Sequence, residues 1–155
     1  MQLLTFTVAQ QTYAIESRRV IEVLPLVPAR LIPHAPDYVR GIFTYRGRLV
    51  PLVDLALRLA VGRIQERLST RVIVVEYAAP GREPQQLGLV AENVISVCSA
   101  EEADASLPSL EFHDAPFLGR ILRIGGRTIQ LLEVERLLPP DVASGMFPAS
   151  PTVPT

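Results

Sequence analysis

The chain has 155 residues, 48% hydrophobic and 20% charged, enough apolar material for one ordinary domain or two very small ones sharing a core. A formal net charge of −1, from 15 basic and 16 acidic side chains, argues against non-specific nucleic-acid binding, which needs a concentrated basic field. The single cysteine, Cys98, excludes an internal disulfide framework and a multi-cysteine metal site.

The N-terminal stretch lacks a basic start, a long apolar run and a small-residue cleavage site, so it does not read as a signal peptide. No segment approaches the ~20 uninterrupted apolar residues of a membrane span. A cytoplasmic protein without direct membrane insertion is expected. Leu4, Phe6 and Val8 alternate with Thr5 and Thr7, a strand with one buried face; Gln10-Gln11-Thr12 reads as a turn and Tyr13-Ala14-Ile15 as the returning strand. Val20, Ile21 and Val23 form a third apolar run. Pro25, Pro28, Pro33 and Pro36 then predict an irregular connection over 25–37.

Gly41–Tyr45 and Leu49–Val53, joined through Arg46-Gly47-Arg48, predict a hairpin, and Asp54 is a good N-cap for a short helix. Arg71–Tyr77 is the densest β-branched run. Residues 79–86 read as a loop tip, and Gly88–Val97 as a further long strand that places Cys98, beside Val94, Ile95 and Val97, as a buried thiol at its end. Residues 139–155 hold five prolines and read as a mobile tail, with Met146-Phe147 as the one candidate anchor.

Internal self-similarity organises these elements. Tyr13–Val23 aligns with Leu87–Val97 at a shift of 74, so that Val20, Ile21 and Val23 fall on Val94, Ile95 and Val97. Ala35-Pro36 and Gly41 resemble Ala115-Pro116 and Gly119. Gly47–Leu55 aligns with Gly126–Val134 at a shift of 79, which puts Asp54 on Glu133. Each half, near 1–70 and 71–138, would hold about five short strands and one short helix, too little for a core of its own. The expectation is two small barrels or curled sheets packed together, with strand exchange between them allowed.

Chemistry is sparse. Cys98, His113 and Asp114 offer one conceivable nucleophile arrangement, but adjacent His and Asp side chains rarely converge. His34 and His113 lack metal-ligand spacing, and no phosphate-cradling glycine motif occurs. No cofactor is expected. Two features suit binding better. Glu22 opposes Ile21 and Val23 by strand alternation, and Arg46 sits at a hairpin tip; a glutamate and an arginine so placed can pair and fix a contact patch. A small Cys/His enzyme and an SH3-like nucleic-acid module are the alternatives.

Several blocks then resemble the CheW-like family of chemosensory coupling proteins: Val20–Leu24, Ile32-Pro33 with Ala35–Val39, Gly41-Ile42 with Arg46-Gly47-Arg48, and Val50–Leu55. Thr70–Val75, Gly88–Val94 and Leu131–Val134 continue the match in order, over roughly 2–138. The resemblance implies a mainly β fold, with two packed five-stranded SH3-like β-barrel subdomains and short helices. It also implies a non-catalytic adaptor between methyl-accepting chemoreceptor cytoplasmic tips and the regulatory domain of a CheA-like histidine kinase, recruited to receptor arrays. Kinase-binding positions fall on Glu22, Arg46, Gly41 and Gly47, and receptor-facing ones near Val74, Gly88, Val94 and Val97. The turn Thr44-Tyr45-Arg46-Gly47 and Ala91-Glu92 depart from the family pattern. They imply a divergent member serving chemotaxis or a surface-sensing type of pathway.

Overall fold

The alternating and β-branched runs do become strands: β1 (Gln2–Val8), β2 (Gln11–Glu16), β3 (Val20–Pro25), β4 (Val39–Tyr45), β5 (Arg48–Asp54), β6 (Thr70–Tyr77), β7 (Gln85–Ser99), β8 (Ala105–Leu107), β9 (Leu118–Ile124) and β10 (Arg127–Leu132). Two short helices, α1 (Leu55–Arg58) and α2 (Pro140–Met146), accompany them. The computed structural model describes residues 1–78 and 83–147, Ile95 by its backbone alone. Of the expected loop tip, 79–82 lie outside the described residues, and Gln85-Gln86 already belong to β7.

β7 is the axis of the molecule. Its first part pairs antiparallel with β6 and parallel with β5, and β3 and β4 complete that five-stranded barrel. Its last residues pair with β1, followed by β2, β10 and β9, with β8 at the outer edge. The hairpin β4–β5 from the first half of the sequence is thus held by β7 from the second. Hairpin β9–β10 from the second half is held by β2 from the first. A cut near residue 70 therefore does not separate the two barrels.

The repeat is visible in the register. Leu52 faces Gly88 across one parallel seam, and Leu131 faces Ala14 across the other; the shifts of 79 and 74 carry the first pair onto the second. Matching backbone bonds run from Asp54 N to the Tyr38 carbonyl (2.7 Å) and from Glu133 N to the Phe117 carbonyl (2.8 Å). The copies part at their caps. Asp54 accepts a hydrogen bond from Leu57 N at 3.2 Å and starts α1, whereas Glu133 makes no side-chain cap and leads into a single 3-10 turn, Val134–Arg136. Aspartate is a preferred N-cap, and glutamate, one methylene longer, is not.

Two cores result, and they are unequal. Leu4, Phe6, Val8, Tyr13 and Ile15 project from β1 and β2 into a large core filled by β5, β6 and β7. The opposite face of the same two strands gives Leu3 and Ala14 to a small core with Ala100, Leu122, Ile124 and Ile129. Cys98 packs at the margin of that small core, half-buried and not fully buried as its neighbours suggested. Asp54, with no solvent exposure, accepts from Arg40 Nη2 at 2.8 Å and from Ile64 N at 3.1 Å, so its charge is matched within the interior.

The proline-rich end is not wholly a mobile tail. Pro140 occupies the first helical position, where its missing N–H costs nothing, and α2 buries Ala143. Phe147 stacks on Tyr77 with ring centroids 5.5 Å apart. Arg58 Nε ties the approach to α2 by bonding the Leu137 carbonyl at 2.5 Å. Residues 148–155 lie outside the described residues.

Candidate protein-interaction site

Among the described residues β3 is an edge strand, paired with β6 alone, and its residues alternate between half-buried and exposed. Val20, Glu22 and Leu24 share the inner parity; Ile21 and Val23 face outward at 39% and 37% exposure. Glu22 therefore opposes its apolar neighbours as alternation requires. The tip of the β4–β5 hairpin reaches it. Arg46 (φ +48°) and Gly47 (φ +78°) form a two-residue turn with both central residues left-handed, the twist-matched solution for a tight hairpin. A Cβ on Gly47 would touch nothing, so this glycine serves the turn and not a close approach.

At the tip Arg46 Nη2 donates to Glu22 Oε1 at 2.9 Å, and the Tyr45 hydroxyl donates to the same oxygen at 2.5 Å. The Arg46 guanidinium also lies 5.1 Å from the centre of the Tyr45 ring. Glu22 and Arg46 keep much of their surface in water, so the pair contributes little to stability and chiefly fixes the position of two charges. The bond to Glu22, and then burial, raise the Tyr45 phenol above its ordinary 10. Its bonded, protonated form is fully present below pH 10 and is lost only as pH rises through the raised value. Tyr45 escaped the sequence reading. Its signal was inward parity on β4, shared with Phe43, in a side chain whose polar tip seeks a partner. Leu49, 73% exposed and paired with Thr44 beside the turn, adds apolar surface to the tip.

Gly41 does not join this patch as a contact. At φ +140° its missing Cβ would lie 2.1 Å from the Arg30 carbonyl oxygen, where Arg30 and Ile42 exchange two backbone bonds of 2.8 Å. It seats the connection after β3 against β4.

The residues expected to face a receptor do not converge on one surface. Val74 is fully buried, and a Cβ on Gly88 would lie 2.7 Å from the Phe43 ring. Both belong to the interior, because β6 and β7 are covered on both faces where they pair. Val94 packs half-buried on the large core, and Val97, opposite Leu4, is 57% exposed. Only these two reach the surface.

The alternative catalytic arrangement does not assemble. Burial pushes the Cys98 thiol up, away from the reactive thiolate, while His113 lines a separate depression with Phe112, Pro116 and Arg136. Among the described residues no group of histidine, cysteine and carboxylate side chains is placed to hold a metal ion. Among them, too, no helix is long and apolar enough to cross a membrane.

Comparison with known proteins agrees with the fold. The family model of the CheW-like domain matches residues 2–141. A chemotaxis protein CheW from Rhizobium meliloti (strain 1021) is 27% identical over 142 residues, covering 90% of this chain and 88% of the relative. One from Klebsiella aerogenes is 27% identical over 140 residues, covering 88% and 81%. The crystal structure of the scaffolding protein TtCheW from Thermoanaerobacter tengcongensis superposes with a TM-score of 0.73 at 25% identity, over 89% of this chain and 87% of that one. The chain belongs to the CheW-like domain family, a family of non-catalytic chemotaxis coupling proteins.

Proposed function

We propose that this adaptor joins the cytoplasmic tips of chemoreceptors to a CheA-like histidine kinase, and that the Glu22–Tyr45–Arg46 patch is its kinase-binding element. The observation that carries the reading is the shared Glu22 oxygen, which receives both Arg46 and Tyr45 and so presents a cation at a set position beside an edge strand. Edge backbone supplies unpaired donors and acceptors, outward Ile21, Val23 and Leu49 supply apolar area, and the charges select register and partner. Val94 and Val97, in the part of β7 that pairs with β1, are the receptor-facing positions that remain accessible.

The adaptor would act by coupled binding: each partner alters the other's occupancy through a shared scaffold, without chemistry at any residue. Titration of the purified kinase against the wild-type chain and Arg46→Glu tests the patch. The variant should bind at least about tenfold more weakly with an unchanged melting temperature. Equal affinity would remove the patch from the kinase interface.

A further inference from the structure

The loop between α1 and β6 carries Leu68 at 97% exposure, the most exposed large apolar side chain among the described residues. A single exposed leucine is ordinary on a protein surface. This one is carried by a turn closed by its own hydrogen bonds. Thr70 is buried beneath it and donates its hydroxyl to the Gln65 carbonyl at 2.6 Å while accepting from Arg67 N at 3.0 Å. Thr70 N returns a bond to the Arg67 carbonyl at 3.0 Å, and Arg71 Nη1 bonds the carbonyls of Leu68 and Thr70. The backbone on both sides of Leu68 is therefore fixed from below.

The surrounding charge is mostly positive, Glu66, 4.0 Å from Arg40, being the carboxylate within the loop. Arg63 and Arg67 are exposed and Arg71 is half-buried, and among the described residues none of the three forms an ion pair. Elsewhere Arg18, Arg19, Arg40, Arg46 and Arg136 each face a carboxylate. On a chain of net charge −1, a local excess of three arginines over one glutamate around an exposed apolar tip is complementary to a surface of opposite charge that offers an apolar notch. The loop also continues the patch described above. Glu22 pairs with Val74, and Pro25 with Arg71, on the same antiparallel ladder, so the turn begins about 10 Å along the strand from Glu22.

We propose that Leu68, flanked by Arg63, Arg67 and Arg71, is an apolar plug for an acidic, notched surface of the kinase, extending the Glu22–Arg46 contact past the end of β3. This rests on the kinase-binding reading, and the test separates the two. Affinity of the full chain for the full-length CheA-like kinase of the same organism is measured for wild type, Leu68→Ser, Arg67→Glu and Arg46→Glu. Melting temperatures are recorded for each.

Leu68→Ser removes no packed contact, so it should melt like wild type yet bind about tenfold more weakly. Arg67→Glu should slow association and flatten its dependence on salt. Weakening by Leu68→Ser but not by Arg46→Glu keeps the plug and sinks the patch. Wild-type affinity in Leu68→Ser beside weakened Arg46→Glu overturns the plug alone. Absence of kinase binding by the wild-type chain overturns both. Sedimentation with phosphatidylglycerol vesicles that depends on Leu68, with kinase affinity untouched, assigns the loop to a lipid surface and also overturns the proposal.

Discussion

Gly41 shows how a position in a binding motif can act from inside the fold. It is buried, and the carbonyl of Arg30 occupies the space a side chain would need. Gly41→Ala should lose about 2–3 kcal/mol of stability, because both the positive φ and the collision with backbone must be relieved by lifting residues 26–38 from β4. Denaturant unfolding measures the loss; a variant as stable as wild type would contradict the seating role. The neighbouring pair Glu22 and Arg46 was legible in the sequence, since period-two alternation sets the side of Glu22 and a Gly-containing turn sets the tip. Val74 was not. In Arg71–Tyr77 nearly every side chain is apolar, and a run buried on both faces carries no alternation from which an outward residue can be chosen.

Among the elements, α2 departs furthest from expectation. Proline content over 139–155 spoke for a tail, but composition does not distinguish a proline that breaks a helix from one that opens it. Pro140 opens it, and the seven-residue helix is held by what it buries. Phe147, 8% exposed and stacked on Tyr77, closes that contact. Phe147→Ala should cost about 3 kcal/mol. It should also raise hydrogen exchange at the end of β6 before exchange rises in β1. Unaltered stability would mean that α2 rests on the barrel without supporting it. The α1 cap, by contrast, was read correctly from one residue: Asp54 has the short acceptor an N-cap needs, and it turns out to serve Arg40 and Ile64 as well.

For the whole molecule the governing feature is the exchange of hairpins across β7. The two-fold repeat could be read from spacing, but strand periodicity reports which face is buried and not which strand lies alongside. Nothing in Leu49–Val53 or Thr128–Leu132 announces that each pairs parallel with the other half of the sequence. It follows that residues 1–70 and 71–155, produced separately, should each lack a cooperative thermal transition, while an equimolar mixture should recover one, read by circular dichroism. A sharp transition in either fragment alone would show that its barrel does not need the borrowed strand.

The same exchange has a consequence in time. As the chain leaves the ribosome, β1 and β2 form a hairpin at once, but both edges of that hairpin wait: one for β7, the other for β10. Until residues 85–99 emerge, Phe6 and Tyr13 lack much of their covering, and Leu3 and Ala14 on the other face wait until residues 127–132 do. Contacts between distant parts of a chain form slowly, and open strand edges invite the wrong neighbour meanwhile. Closure of the small core is thus set by the arrival of β10, so a ribosome stalled before Arg127 holds a first barrel with all its strands beside a second that lacks the strand β2 needs.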